Sequence, residues 1–272
     1  MRQRSLPLIA ALALLTGCVA AEERTAHFEQ KWPANGIGEL NVEEVNGTVT
    51  VHGDSPDAIT MVANVRARGV RPDPKQPYEG YMSADVDGNE LAIRSRNVRH
   101  HGFFFGFGDE ITINYDLHVP PQVALQLVTV NGKITTHGIA GEMNAKTVNG
   151  AMDIESTGTN EVSAKTVNGR IAAKFLQDFH GAKLGTVNGR VTCALPAGAS
   201  FFGDFTQING DFEAAFPLNI HSHPGSRRVS GEVNGGRYPL KISTVNGDIT
   251  VENAPAAAPV PPPPPAPPAP RM

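Results

Sequence analysis

The sequence predicts an all-β protein, a β-solenoid or β-roll built from coils of about 20 residues with Val-Asn-Gly corners. Two observations predict this fold class. The tripeptide Val/Ile-Asn-Gly occurs eight times, and from Asn131 to Asn209 successive asparagines are 18, 19, 20 and 21 residues apart. Helical periodicity is almost absent, whereas apolar and polar residues alternate along most of the chain, as they do in half-buried strands.

The first 17 residues resemble a bacterial lipoprotein signal peptide. Two arginines are followed by the apolar residues 6–15, and Leu15-Thr16-Gly17-Cys18 resembles a lipobox. Ten apolar residues are too few for a permanent transmembrane helix. We therefore expect Cys18 to be acylated and to tether the chain to a membrane, by resemblance to Gram-negative lipoproteins the outer membrane. The competing interpretation is an ordinary secretory signal.

The remaining chain divides by composition into three segments. Residues 18–37 are expected to be an N-terminal tether, 38–253 a β-strand-repeat domain, and 254–272 a Pro/Ala-rich tail. Proline lacks a backbone N–H and cannot join a sheet, so the tail is predicted to be extended, either as a plain spacer or as a strut. After Cys18, the only other cysteine is Cys193, which excludes an intramolecular disulfide in the repeat domain.

The first part of the repeat domain, 38–121, is less regular. Alternation predicts strands over 59–67, 81–86, 90–95 and 111–119. The short Asp87-Gly88-Asn89 link predicts that the middle two strands form a hairpin.

The second part, 122–253, carries the periodic copies. An apolar residue lies four positions before each periodic asparagine and a threonine usually two before, so alternation predicts that the asparagine faces the core with them. A buried amide needs partners, which a ladder of asparagines on stacked coils would supply. The ladder is expected to contain Asn46, Asn131, Asn149, Asn168, Asn188, Asn209 and Asn246.

Two alternatives accompany the stacked-coil interpretation. Asn-Gly is also a strong signal for a type I′ hairpin, so an antiparallel meander is the competing architecture. The eighth copy, at Asn234, is out of phase with the others and is predicted to form a separate tight turn.

The lipobox, the early Val45-Asn46-Gly47, the strand ending His118-Val119-Pro120-Pro121 and the recurring Thr-Val-Asn-Gly-x-Ile resemble the bacterial putative-adhesin family of β-strand-repeat proteins. The resemblance covers roughly residues 38–252. It implies a right-handed β-solenoid or β-roll on the cell envelope, in a family whose domain is otherwise of unknown function. It supplies no catalytic residues.

Composition and motifs favour a protein that is not an enzyme. Acidic residues are scattered over different coils and alternate with basic ones, which suits a solvated face rather than a catalytic cleft. The pairs His100-His101 and His221/His223 lack a nearby third ligand, so no metal site and no cofactor are predicted. The formal charge of −4 argues against nucleic acid as a partner.

Two features are candidates for binding. Phe103, Phe104, Phe105 and Phe107 lie among glycines in a predicted connection, either as an exposed apolar patch or as a cap over the end of the solenoid. Lys146, Lys165, Arg170, Lys183 and Arg190 are expected to form a basic face that could meet an anionic glycan or lipid phosphates, with a plain solvated face as the alternative.

The leading hypothesis is a non-enzymatic cell-envelope lipoprotein, an adhesin-like structural or surface-interaction module. The alternative is a periplasmic protein that binds or senses a glycan or an envelope protein. A glycan-active enzyme is a weak third hypothesis.

Overall fold

The computed structural model describes residues 23–68, 80–95, 110–158, 160–218 and 228–254. These ranges contain twenty β-strands and no α-helix, so the all-β prediction is confirmed. The strands are β1 (Glu23–Pro33), β2 (Glu39–Glu43), β3 (Val49–His52), β4 (Ala58–Arg68), β5 (Met82–Asp87), β6 (Glu90–Ser95), β7 (Glu110–His118), β8 (Ala124–Val128), β9 (Ile134–Ile139), β10 (Met143–Lys146), β11 (Met152–Ser156), β12 (Val162–Lys165), β13 (Ile171–Phe175), β14 (Ala182–Gly185), β15 (Val191–Leu195), β16 (Phe201–Asn209), β17 (Phe212–Ala214), β18 (Arg228–Val233), β19 (Tyr238–Asn246) and β20 (Ile249–Asn253). Among the described residues, no helix is long and apolar enough to cross a membrane.

The strands form two ten-stranded sheets. Sheet A has the order β1-β4-β7-β3-β9-β11-β13-β15-β20-β17, and sheet B has the order β18-β16-β19-β14-β12-β10-β8-β2-β6-β5. From β8 to β17 the chain alternates between the sheets. We call a strand of sheet B together with the sheet A strand that follows it a coil.

Neighbouring coils pair in parallel and in register. Ala145 of β10 lies opposite Ala164 of β12, and Met152 of β11 lies opposite Ile171 of β13. A meander would pair consecutive strands antiparallel within one sheet, so that alternative is wrong for the periodic part of the chain. The fold is solenoid-like.

The coils do not stack in sequence order at either end. The last coil, β19–β20, lies between the coils β14–β15 and β16–β17, and the first coil, β2–β3, lies between β6–β7 and β8–β9. Antiparallel strands complete both ends: β5, β4 and β1 at one end and β18 at the other. The 37 positions from Asn209 to Asn246 therefore include the antiparallel strand β18 as well as β17 and β19, and they do not form two regular coils.

Apolar side chains at matching positions of successive coils fill the space between the sheets. Each is at most 1% exposed: from sheet B, Leu40, Leu125, Met143, Val162, Ala182 and Leu240, and from sheet A, Val49, Ile134, Met152, Ile171, Val191 and Ile249. Burial of one such aliphatic side chain contributes about 1.5–3 kcal/mol. Cys193 lies in the same core, and burial raises the pKa of its thiol, which keeps it protonated.

The segment expected to be a tether contains a strand. Glu23–Pro33 form β1, which pairs antiparallel with β4 along its whole length. Phe28 and Trp32 are buried on its inner face, whereas the charged residues between them are exposed. This alternation gives the segment enough apolar surface to join sheet A, so residues 23–33 belong to the folded part of the chain rather than to a tether.

Local predictions in the irregular parts hold. The expected strands correspond to β4, β5, β6 and β7, and β5 and β6 form an antiparallel hairpin in which Gly88 has a φ of +61°. Asn234, with a φ of +49°, and Gly235 form a turn between β18 and β19.

Candidate functional site

The asparagines of seven tripeptides are joined by side-chain hydrogen bonds along one edge of the molecule. In each pair the Nδ2 group of one asparagine donates to the Oδ1 atom of the next, over 2.7–2.9 Å. From donor to acceptor the order is Asn209, Asn246, Asn188, Asn168, Asn149, Asn131 and Asn46. We call this row the asparagine ladder. All six bonds point in the same direction, so neighbouring amides polarise one another.

The ladder is not in the core, which corrects the orientation expected from alternation. Asn131, Asn149, Asn168 and Asn188 are exposed, whereas the threonine two positions earlier is buried in each copy. The reason is that the strand ends before the asparagine: β12, for example, ends at Lys165, and the chain then crosses from sheet B to sheet A. The valine beside the asparagine points outward, since Val148, Val167 and Val187 are 38–40% exposed.

The buried threonines bind the adjacent coil through the backbone. Thr166 Oγ1 donates to the carbonyl oxygen of Gly150 over 3.1 Å, and Thr186 Oγ1 donates to that of Gly169 over 3.0 Å. Thr147 and Thr244 make the equivalent bond. These bonds satisfy hydroxyl groups that would otherwise be costly to bury.

The glycine of the tripeptide is required by close approach of two backbones. A Cβ atom on Gly150 would overlap the carbonyl oxygen of Gly132, and one on Gly169 would overlap that of Gly150. Neither Gly150 nor Gly169 has a φ in the left-handed region. Conformational freedom is therefore not the reason for glycine at these positions.

In the first coil, Glu44 occupies the position that a buried threonine has in later coils, two residues before the ladder asparagine. Its side chain is 1% exposed, and its Oε1 atom accepts a hydrogen bond of 2.9 Å from the backbone N–H of Asn46. Burial raises the pKa of this carboxyl group to about 8, against the opposing effect of hydrogen bonds from the backbone of Asn46 and Val45. The carboxyl group is therefore protonated at neutral pH.

The basic residues proposed as one face are divided by the structure. Lys146 and Lys165 lie opposite each other at the ends of β10 and β12, in sheet B, and both are exposed. Arg170 and Arg190 lie beyond the ladder, where they pair with Asp153 and Asp248 at 2.8 Å.

Lys183 is also paired, with Glu161 at 2.7 Å. Asp153 additionally contacts Lys133, so it bridges basic side chains of the two coils on either side of its own. A continuous basic face is therefore wrong: three of its five members are neutralised by carboxylates. Such exposed pairs each contribute about 0.2–1 kcal/mol.

A row of histidines lies on the outer face of sheet A and was not predicted from the sequence. His118 of β7 lies opposite His52 of β3, which lies opposite His137 of β9. The ring of His52 stacks between the other two, with centroid distances of 4.8 Å to His118 and 5.1 Å to His137. A signal was present, because His52 and His137 each follow a ladder asparagine by six residues.

Two aspartates accompany this row. His52 Nε2 lies 3.3 Å from Asp116 Oδ1, and His118 Nε2 lies 3.9 Å from the same atom. His118 Nδ1 lies 2.7 Å from Asp54 Oδ1. Within the described ranges, His52, Asp116 and His118 are the group whose potential metal-binding atoms all lie within 4.8 Å of one another.

An apolar groove lies at the β16–β17 end of the molecule. Phe205, Phe212, Ile208 and Val229 line it, the two phenylalanine rings being 4.9 Å apart, and Ile208 is 50% exposed. The groove adjoins Asn209, the terminal donor of the ladder.

Several predicted residues lie outside the described ranges. They are the signal peptide with Cys18, Phe103, Phe104, Phe105 and Phe107, both loop histidine pairs, and the Pro/Ala-rich tail beyond Ala254. Their predicted roles remain expectations.

The periodic part of the chain is similar to a known protein family. Residues 122–252 match the family model described as Toastrack DUF4097. This range contains β8 to β19, most of β20, and six of the seven ladder asparagines. No curated protein matches the chain.

Solved structures of bacterial proteins are also similar to this chain. A putative cell adhesion protein from Clostridium sporogenes is 11% identical, with a TM-score of 0.45, over 85% of this chain and 100% of the other. A putative adhesin from Bacteroides fragilis is 9% identical, with a TM-score of 0.32, over 84% and 96%. A putative lipid binding protein from Parabacteroides distasonis is 11% identical, with a TM-score of 0.28, over 83% of this chain and 96% of the other.

Proposed function

Because residues 122–252 match the Toastrack DUF4097 family model, we propose that the protein is a non-enzymatic module of the cell envelope that holds a rigid surface away from the membrane. The asparagine ladder supports this proposal most directly. The most regular residues of the chain bind coil to coil, which is a scaffold role. In this account the Asn-Gly connections are the corners of the coils.

The outer faces support the same role. Carboxylates such as Asp153 and Asp248 project from different coils and pair with Arg170 and Arg190 of neighbouring coils. Hydrolysis of a glycan by the usual route needs two carboxylates that flank one bond. The observed pairs instead link coils, so the faces suit display and contact.

The anchor in this proposal is Cys18. Acylation there would give a stable membrane attachment without a transmembrane helix, and the tail beyond Ala254 would act as a spacer or a strut. The adhesin-like contact would use the exposed surface of the module. Lys146 and Lys165, exposed and adjacent, are the basic residues best placed to meet an anionic glycan.

Fractionation of producing cells tests the anchor. The full chain and its Cys18→Ser variant are expressed, membranes are collected, and the mass of the mature N-terminus is measured. The proposal expects an acylated Cys18 in the membrane fraction and release of the variant into the soluble fraction. An unmodified N-terminus that starts downstream of Cys18 in the wild-type protein would contradict it.

Incubation of the full chain with envelope glycans tests the absence of catalysis. The proposal expects no turnover. Turnover that disappears on a single carboxylate change, Asp153→Asn for example, would show that the protein is an enzyme.

Recognition of an envelope protein is a second candidate, favoured by the apolar groove at the β16–β17 end. Ile208 leaves half of its surface exposed there, beside Phe212. An Ile208→Asp variant that folds normally but no longer captures an envelope protein held by the wild type would support this function. The matched control is Val167→Asp, at the equivalent tripeptide position of another coil, where the valine is 39% exposed.

A further inference from the structure

Three potential metal ligands converge on the outer face of sheet A, where two neighbouring coils meet. His52 lies at the end of β3, and Asp116 and His118 lie on β7, directly beside it. Asp116 Oδ1 lies between the two imidazoles, 3.3 Å from His52 Nε2 and 3.9 Å from His118 Nε2. These residues come from two neighbouring coils of the stack, since β3 lies between β7 and β9 in sheet A.

These distances are close to those that a metal ion imposes. Zinc binds histidine nitrogen and carboxylate oxygen at about 2.0–2.2 Å, which separates two ligand atoms by about 3.4 Å in tetrahedral geometry. The distance between His52 Nε2 and Asp116 Oδ1, 3.3 Å, is already close to this value. The distance between His118 Nε2 and Asp116 Oδ1, 3.9 Å, needs to shorten by about half an ångström.

A second observation is the position of Asp54. Its Oδ1 atom lies 2.7 Å from His118 Nδ1, so the carboxylate accepts a hydrogen bond from that nitrogen and directs Nε2, the other nitrogen, to Asp116. Histidines that bind metals almost always donate their second ring N–H to a carboxylate or carbonyl group. His118 has this arrangement with Asp54.

His137 supports the site from the other side. Its ring stacks on His52 at 5.1 Å with an interplanar angle of 17°, so it limits rotation of the His52 ring. It does not belong to the group of converging ligand atoms, and its role is positional.

We infer that His52, Asp116 and His118 bind one divalent transition-metal ion of the zinc class, with Asp54 as the positioning residue of His118. Two imidazoles and one carboxylate suit zinc, nickel or copper rather than magnesium or calcium, which prefer oxygen ligands. The side chains of His52, Asp116 and His118 are 30%, 52% and 41% exposed, so water can complete the coordination. The bound ion would connect the coil β2–β3 to the coil β6–β7.

The test is a titration of the full chain with Zn²⁺ alone, in competition with a chromogenic chelator. Four other histidines would confuse it, so the starting protein carries His100→Ala, His101→Ala, His221→Ala and His223→Ala. We expect one Zn²⁺ per chain. The single changes His52→Ala and His118→Ala should abolish binding, and Asp54→Asn should weaken it about 10- to 100-fold.

The matched control is His137→Ala, which removes a histidine of the same row without removing a ligand. We expect it to keep one site, with an affinity within about tenfold of the starting protein. The fold of every variant is checked by circular dichroism without metal, and X-ray absorption of the zinc-loaded starting protein should show two imidazole ligands. Absence of a stoichiometric site, or undiminished binding by His52→Ala and His118→Ala, would overturn the inference.

Discussion

Asn246 Nδ2 donates a hydrogen bond to Asn188 Oδ1 over 2.7 Å, although the two residues are 58 positions apart in the sequence. Asn209, which lies between them in the chain, donates to Asn246 from the other side. The last coil has therefore been inserted between two coils that precede it. The asparagine ladder continues through the insertion without interruption, so it joins coils by their place in the stack rather than by their order along the chain.

Removal of an interior member of the ladder should destabilise the fold. Asn168→Ala removes the hydrogen bond that Asn168 donates to Asn149 and the one that it accepts from Asn188. We expect a loss of about 1–3 kcal/mol in the free energy of unfolding, since each bond contributes about 0.5–1.5 kcal/mol. Urea denaturation measures the loss.

The matched control for this change is Lys165→Ala, in the same coil. Lys165 is exposed and outside the ladder, and its replacement should change the free energy of unfolding by about 0.5 kcal/mol or less. Equal effects of the two changes would mean that the ladder contributes no stability.

The glycine of the tripeptide should tolerate no side chain. Gly169→Ala places a Cβ atom against the carbonyl oxygen of Gly150, so the two coils must move apart. We expect a loss of about 1–3 kcal/mol, as for other overpacked sites. Thermal unfolding measures it.

Gly185→Ala is the control for close approach. A Cβ atom there would meet first the hydroxyl group of Ser243, a side chain that can rotate away. We expect an unfolding temperature close to that of the wild type. If Gly169→Ala were as stable as Gly185→Ala, close approach would not explain the glycine.

Glu44 should make stability depend on pH. Its pKa is about 8 in the folded protein, against 4.5 for an ordinary glutamate, so the folded state holds a proton that the unfolded state releases. The resulting stability is fully present below pH 4.5 and is lost as the pH rises through 8. It amounts to at most about 5 kcal/mol. Urea denaturation at several pH values between 5 and 9 measures it.

A Glu44→Gln variant separates the contribution of Glu44 to the pH dependence of stability from the contributions of other titratable groups. The amide keeps the acceptor for the backbone N–H of Asn46 and has no titratable proton, so the decline between pH 5 and 9 should become shallower. Glu142→Gln, at an exposed residue, should leave the decline unchanged. A decline of the same size in Glu44→Gln and the wild type would contradict the assignment.

Local features of the fold were predictable because they depend on neighbouring residues. Alternation around Met61 and Ile113 predicted the strands β4 and β7, and the period of the tripeptides predicted parallel coils. Alternation failed at Asn168, because the strand ends at Lys165 and the chain no longer alternates there.

Features that depend on the order of the coils were not predictable. His118 and His52 come together because β7 pairs with β3, and no local signal specifies that pairing. Likewise, a period of about 20 residues is equally compatible with two stacks. In one, β15 pairs with β17, and in the observed one, β20 lies between β15 and β17.

The central claim of this account is a ladder of stacked coils in which the last coil is inserted, and disulfide trapping tests it most directly. Thr192 of β15, Thr250 of β20 and Glu213 of β17 occupy one row on the outer face of sheet A. In a background of Cys18→Ser and Cys193→Ala, cysteine pairs are introduced at two of these positions at a time, and the bonds formed are identified by peptide mass spectrometry.

Adjacent strands are about 4.8 Å apart, which suits a disulfide, whereas strands two apart are about 10 Å apart and do not. The account predicts a disulfide between positions 192 and 250 and between 250 and 213, and none between 192 and 213. A disulfide between 192 and 213, without one between 192 and 250, would show that the coils stack in sequence order and would contradict the account.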